Sequence, residues 1–100
     1  MNDPLDTILG RADRALDSMH SASERLAMLR VTHRSDDGLV TVVVDSTGAL
    51  VGIELAEDLS RQSAHRLAST IVDVASEAAR DALERRAAIL QQMQSSLSDT

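Results

Sequence analysis

The sequence contains no cysteine, no lysine and no aromatic residue. Without cysteine there is neither a disulfide framework nor a thiolate metal site. Without phenylalanine, tyrosine or tryptophan the chain lacks the usual rings that stack on nucleic-acid bases, which disfavours single-strand or RNA recognition of the usual kind. Alanine supplies fourteen of the hydrophobic residues in this chain of 100. Because so small and alanine-rich a chain has little apolar area to bury, we expect it to gain more by oligomerisation.

Long apolar runs and targeting segments are also missing. No run approaches the roughly 18 residues that span a bilayer. The N-terminal segment MNDPLDTILG lacks the cationic and apolar regions of a signal peptide. We therefore expect a soluble protein with no membrane partner. All ten basic residues are arginine, and sixteen acidic residues give a net charge of -6 at pH 7. That balance disfavours polyanion binding by the whole surface but allows a local basic face.

The clearest pattern is a β-hairpin in the middle of the chain. Two apolar segments, Leu39–Val44 and Leu50–Leu55, flank the turn-forming sequence DSTG. The first segment is apolar on both faces of a strand, so we expect both faces of the sheet to be covered. Arg30–Arg34 indicates a short strand before a turn at DDG. Together these segments predict a three-stranded antiparallel meander.

Amphipathic helices are predicted on both sides of this sheet. Asp3 before Pro4 is a typical helix start, and the first helix should run from about Pro4 to about Leu29. A second helix should follow the hairpin, with Ser60 as a candidate N-cap. The apolar stripe of the first helix is Leu5, Leu9, Ala12, Leu16, Met19, Ser23 and Leu26. The stripe of the second is Leu67, Ile71, Val74, Ala75, Ala78, Ala82, Ile89 and Met93.

The predicted fold is α+β: a long N-terminal helix, a three-stranded antiparallel sheet and a long C-terminal helix, in one domain over residues 1–93. From Gln94 the periodicity is lost, so residues 94–100 are expected to be a disordered tail. Two helices that overrun a small sheet cannot bury both sheet faces and both stripes within one chain. The mismatch predicts a homodimer.

Catalytic and metal-binding patterns are missing from the sequence. His20, His33 and His65 lack the i, i+4 spacing that places two imidazoles at one helical metal site. There is no G-x-S-x-G elbow and no phosphate-binding glycine loop. We therefore expect no enzyme activity, no metal, no cofactor and no small-molecule substrate.

Arginine is the only residue type here that can anchor a phosphate. Residues 9–34 carry five arginines and three acids, a local charge of +2, and within them Arg11 and Arg14 lie one helical turn apart. A mixed-charge solvated face is the competing interpretation. On the second helix, opposite charges at helical spacing predict ion pairs that would weaken phosphate binding. These pairs are Glu77 with Arg80, Arg80 with Glu84, and Asp81 with Arg85. The candidate nucleic-acid-binding residues are Arg11, Arg14, Arg25, Arg80, Arg85 and Arg86.

The chain resembles the YbaB/EbfC family of small bacterial nucleoid-associated DNA-binding proteins. The resemblance lies in the glycine-led strand Gly38–Val44, the turn ending at Gly48, the strand Leu50–Leu55 and the helical segment Ile71–Ala78. It implies a cytoplasmic, nucleoid-associated homodimer with central sheets, whose helices project like the arms of tweezers and engage double-stranded DNA. Little sequence specificity is expected.

Two other functions are compatible with the sequence. The acidic balance also fits a protein-interaction adaptor or secretion-associated chaperone that has lost or weakened DNA binding and uses the apolar stripes of its helices. A helical-hairpin secretion substrate would fit the length and acidity. It would not fit the valine-rich hairpin, and the Trp-x-Gly turn expected of such proteins is missing.

Overall fold

The structure is a computed structural model that describes residues 3–57, 59 and 63–99. Its elements are α1 (Pro4–Met28), β1 (Val31–Arg34), β2 (Val40–Val44), β3 (Leu50–Leu55) and α2 (Ala64–Ser98). The three strands form one antiparallel sheet in the order β1-β2-β3. This order confirms the predicted α+β architecture of helix, meander and helix.

The core lies between the central strand and α2. Val40, Val42 and Val44 are buried on one face of β2, and they pack with Val31 of β1 against an alanine-rich side of α2. The other face of β2 is only half-buried. We expected both faces of the sheet to be covered. Within this chain α2 covers one face, and α1 does not cover the other because it packs mainly along α2.

The turn of the β2–β3 hairpin is closed by the Asp and Gly of the DSTG sequence that predicted it. The Asp45 carboxylate accepts hydrogen bonds from the backbone nitrogens of Thr47 and Ala49, at 2.9 and 3.1 Å. Gly48 adopts a φ of 83°, a left-handed conformation that favours glycine. A Cβ there would lie 3.3 Å from the Cβ of Ala79, so the turn sits directly on α2.

The start of each helix is capped by a side chain. Asp3 accepts a hydrogen bond from the Leu5 backbone at 3.1 Å and Pro4 occupies the first turn, as predicted. The N-cap of α2 is Ser63, which accepts from the Arg66 backbone at 3.1 Å. Ser60, the predicted cap, lies outside the described residues.

All eight predicted stripe residues of α2 are buried or half-buried. The helix then continues through residues 94–98, the start of the expected disordered tail. Loss of apolar periodicity does not end a helix by itself, and no glycine or proline follows Gly52. A division of the chain at residue 93 stays a prediction.

The helices α1 and α2 run antiparallel, because Arg25 contacts Gln92 while His33, just after α1, contacts Asp81. The buried residue of α1 is Ala22, which lies beside the predicted stripe rather than on it. Most of that stripe is exposed, and residues 4–9 are all exposed. The result is an elongated molecule of 75 × 18 × 15 Å. Within the described part of the chain, no helix is long and apolar enough to cross a membrane.

Candidate nucleic-acid interface

The six candidate arginines fall into two groups on the folded chain. Arg11, Arg14 and Arg25 are exposed along α1, away from the sheet, whereas the other three lie on the part of α2 that contacts the sheet or follows it. The two groups differ in what their guanidinium groups contact. That difference decides which arginines are available to a phosphate.

A crevice of about 390 Å³ separates α1 from the last turns of α2. Arg14 and Arg25 both line it, about 16 Å apart along the helix axis at 1.5 Å per residue. Its other polar lining residues are Asp17, Ser18, Ser21, Gln92 and Ser96. Asp17 is the only acidic residue of that lining, so the crevice carries a net positive charge.

The guanidinium groups of α1 have no acidic partner among the described residues. Nη1 of Arg25 donates a hydrogen bond to Oε1 of Gln92 at 2.7 Å, and glutamine carries no charge. Arg11 and Arg14 are exposed, and no ion pair joins either of them to another described residue. No ion pair with a described acidic residue therefore offsets the positive charge of these three arginines.

By contrast, Arg85 is neutralised at the edge of the sheet. It makes two hydrogen bonds with the Asp81 carboxylate, at 3.1 and 3.2 Å. Nε2 of His33, on β1, lies 3.2 Å from the same carboxylate. Hydrogen bonding from His33 and then from Arg85 holds the pKa of Asp81 below its ordinary value of 3.8. This cluster joins β1 to α2 and is first of all a structural contact.

The other two arginines of α2 have different surroundings. Arg86 is half-buried, and its Nη1 lies 3.4 Å from the hydroxyl oxygen of Ser46 in the hairpin turn. Arg80 is exposed. In the described part of the chain it forms no ion pair with Glu77 or Glu84, so two of the three predicted pairs are wrong and only Asp81–Arg85 forms. Asp81 is half-buried and is also held by His33, whereas Glu77 and Glu84 are exposed and gain little from pairing in water.

A second surface feature is the apolar edge of the sheet. The edge strand β3 leaves its large side chains between 44% and 51% exposed, namely Leu50, Val51, Ile53 and Leu55. Val72 and Leu83 of α2 are exposed as well. The opposite edge, β1, has one buried valine followed by the polar sequence THR. An exposed apolar edge strand is a surface on which a further strand can pair, and of the two edge strands in the described residues β3 is the apolar one.

No metal centre is formed by the described residues: they hold no group of three or more His, Asp or Glu side chains placed to bind an ion. His20 pairs with Glu24 at 3.1 Å on the surface of α1. His33 belongs to the Asp81 contact.

Comparison with known proteins decides the family. The sequence matches the model of the YbaB/EbfC DNA-binding family over residues 1–97, nearly its whole length. The chain belongs to the YbaB/EbfC family. The match confirms the resemblance that the strands and the second helix indicated. This family is a non-enzymatic DNA-binding family.

A solved structure has a similar fold. The chain resembles the crystal structure of the uncharacterized protein HP0035 from Helicobacter pylori, with a TM-score of 0.68 and 17% sequence identity. The match covers 94% of this chain and 99% of that chain. At this identity the likeness concerns the fold alone. No curated protein matches the sequence.

Sequence reasoning found the arginines of this YbaB/EbfC chain but missed their neighbours in the crevice. Ser96 lies where the sequence loses its apolar period, and Gln92 is a polar residue just before Met93, the last residue of the apolar stripe. Their contact with α1 depends on how two helices far apart in sequence are aligned, and no local pattern carries that information. The spacing of Arg14, Ser18, Ser21 and Arg25 along one side of α1 was the available signal.

Proposed function

We propose that this protein is a dimeric nucleoid-associated protein of the cytoplasm that binds duplex DNA through arginines on its projecting helices, with little base-specific readout. The observation that carries the proposal is the set of three exposed α1 arginines, Arg11, Arg14 and Arg25, whose charge no described acidic group neutralises. An arginine that neutralises a phosphate releases condensed counterions, which supplies the affinity of non-specific binding. An arginine already paired with a carboxylate, such as Arg85, releases fewer.

The composition supports backbone contact over base readout. Phosphate contacts fix a protein on the duplex but carry no sequence information. The crevice side chains include two arginines and three serines, which suit phosphate oxygens. Acidic residues on α1, including Asp13, Asp17 and Glu24, should keep the affinity modest. Binding should therefore be strong only at low salt.

The dimer is the second part of the proposal, and the apolar edge of the sheet supports it. Leu50, Val51, Ile53 and Leu55 remain about half exposed, so the described part of the chain does not cover them. A second copy pairing at β3 would bury these side chains and join the two sheets. The two pairs of long helices would then project from one sheet centre and present arginines twice, as the tweezer arrangement requires. Isologous pairing of this kind is the commonest symmetry of homo-oligomers.

The test is the affinity for a fluorescent duplex of random sequence, measured by anisotropy between low and physiological salt. We expect the triple variant R11A/R14A/R25A to lose at least about tenfold in affinity at low salt. Its slope of log affinity against log salt should be smaller by up to about 0.9 for each arginine that met a phosphate. The double variant R85A/R86A should lose less. A folded wild-type dimer that does not bind at low salt would overturn the proposal.

One observation favours the alternative function, a protein-interaction adaptor or secretion-associated chaperone. The first helix exposes Leu5, Ile8, Leu9, Leu16 and Met19, each at least half exposed. An apolar stripe on a projecting helix fits an amphipathic partner helix. Purification of the tagged protein with one stoichiometric protein, and with no nuclease-sensitive material, would favour this function over DNA binding.

A further inference from the structure

Arg25 and Gln92 make the shortest side-chain contact between the two helices among those seen in the described residues. Nη1 of Arg25 lies 2.7 Å from Oε1 of Gln92. Each of the two residues follows a buried residue of its own helix by one turn, Ala22 on α1 and Ile89 on α2. The packing of these buried residues sets the alignment of the helices, and with it the position of the Gln92 amide.

The contact orients Arg25 without neutralising it. A guanidinium group has five N–H donors in a fixed fork, and the glutamine oxygen occupies only part of that capacity. The remaining donors stay available on a side chain that has already lost much of its freedom. A phosphate that meets Arg25 therefore meets a charged and pre-oriented group, and less ordering is left for the binding step.

The rest of the crevice suits the same kind of ligand. Arg14 lies on the same side of α1 about 16 Å further along the helix axis. Phosphates of one DNA strand follow each other every 3.4 Å or so along the duplex axis, so the two arginines would meet different phosphates. The hydroxyl groups of Ser18, Ser21 and Ser96 lie in the crevice, and a hydroxyl can donate to a phosphate oxygen. Asp17 opposes them with one negative charge.

We propose that this crevice between α1 and α2 binds the phosphodiester backbone of duplex DNA, with Arg14 and Arg25 on the phosphates and Gln92 as the positioning residue of Arg25. The proposal rests on the proposed function, since it names the place where the backbone is bound. The last turns of α2 would then take part in DNA binding, a role that their sequence does not indicate because it lacks an apolar pattern.

The test compares Gln92→Glu with Gln91→Glu. Both add one negative charge to neighbouring exposed residues of α2, but only Gln92 lines the crevice. In Q92E the new carboxylate pairs with Arg25, so duplex affinity at low salt should fall at least about tenfold and the salt slope should shrink by about one for each engaged copy. Q91E should stay within about threefold of wild type with an unchanged slope.

A second variant separates positioning from charge. Gln92→Met keeps the Arg25 charge but removes its acceptor, so we expect a loss of about three- to fivefold in affinity with the wild-type salt slope. A purely structural role of Gln92 would instead lower the thermal stability of the free protein and leave the affinity of the folded fraction unchanged.

Two failures are distinguishable. If wild type binds DNA and Q92E and Q91E weaken it equally, the crevice assignment is overturned and the proposed function stands. If the folded wild-type dimer does not bind at low salt, the proposed function fails and this assignment fails with it.

Discussion

An acidic residue at Ile53 should break the proposed dimer. Ile53 lies on the apolar edge strand opposite Val42 and is 44% exposed. Full burial of an isoleucine side chain stabilises by about 1.5–3 kcal/mol, so covering the exposed part gives about 0.7–1.3 kcal/mol per copy. A symmetric dimer contains two copies of the contact. Removing both should therefore cost about 1.3–2.6 kcal/mol, a rise of about 10- to 70-fold in the dissociation constant.

The variant Ile53→Asp should exceed this range, because two carboxylates would also be desolvated at the interface. Sedimentation equilibrium across a range of protein concentrations measures the dissociation constant, and far-UV circular dichroism checks that the helices remain. The control is Thr32→Asp, which places the same charge on the exposed, polar edge strand β1. If I53D keeps native helix content and dimerises like wild type, the reasoning from the apolar edge is refuted.

Two predictions concern the stability of the single chain. Val42→Ala should lower the free energy of unfolding by about 1.5–3 kcal/mol, measured by urea denaturation, because it removes two methyl groups from a position that is 0% exposed. An effect below about 0.5 kcal/mol would contradict the placement of the core. The second prediction is a pH dependence at Asp81, whose pKa is lower in the folded chain than its ordinary 3.8. The ionised Asp81 stabilises the fold fully at pH values above its ordinary pKa, and this stabilisation is lost as the pH falls through the lower pKa of the folded chain. Asp81→Asn should therefore flatten the loss of stability below about pH 4, and an unchanged acid limb would show that the contact with His33 and Arg85 contributes nothing.

The fold was predictable because its signals are local. The valine-rich segment Val40–Val44 consists of β-branched residues and is apolar on both faces, which is typical of a central strand, and the DSTG sequence closes its turn. Asp3 with Pro4 marks the first helix without reference to anything distant. The stripe of α2 carries the helical period that its packing requires, against the sheet from Leu67 to Ala82 and toward α1 at Ile89 and Met93.

The candidate site was predictable only in part, because its geometry is set by tertiary alignment. The sequence identifies Arg14 and Arg25, but not that α1 uses Ala22 to approach α2 and so places Arg25 against Gln92. Nor does it show that Asp81 has two partners from different elements, and that Arg85 is thereby occupied. A strong apolar stripe such as that of α1 predicts burial, but it is exposed in this chain, and what covers it depends on contacts that one sequence does not encode locally.

The dependence of duplex affinity on salt tests the central claim most directly. We predict that the wild-type dimer binds a random-sequence duplex at low salt, with log affinity falling linearly as log salt rises. With Arg11, Arg14 and Arg25 engaged in one copy the slope should be about -2.7, and about -5.4 with both copies engaged. A folded dimer that shows no binding at low salt, or an affinity that does not change with salt, would contradict the account.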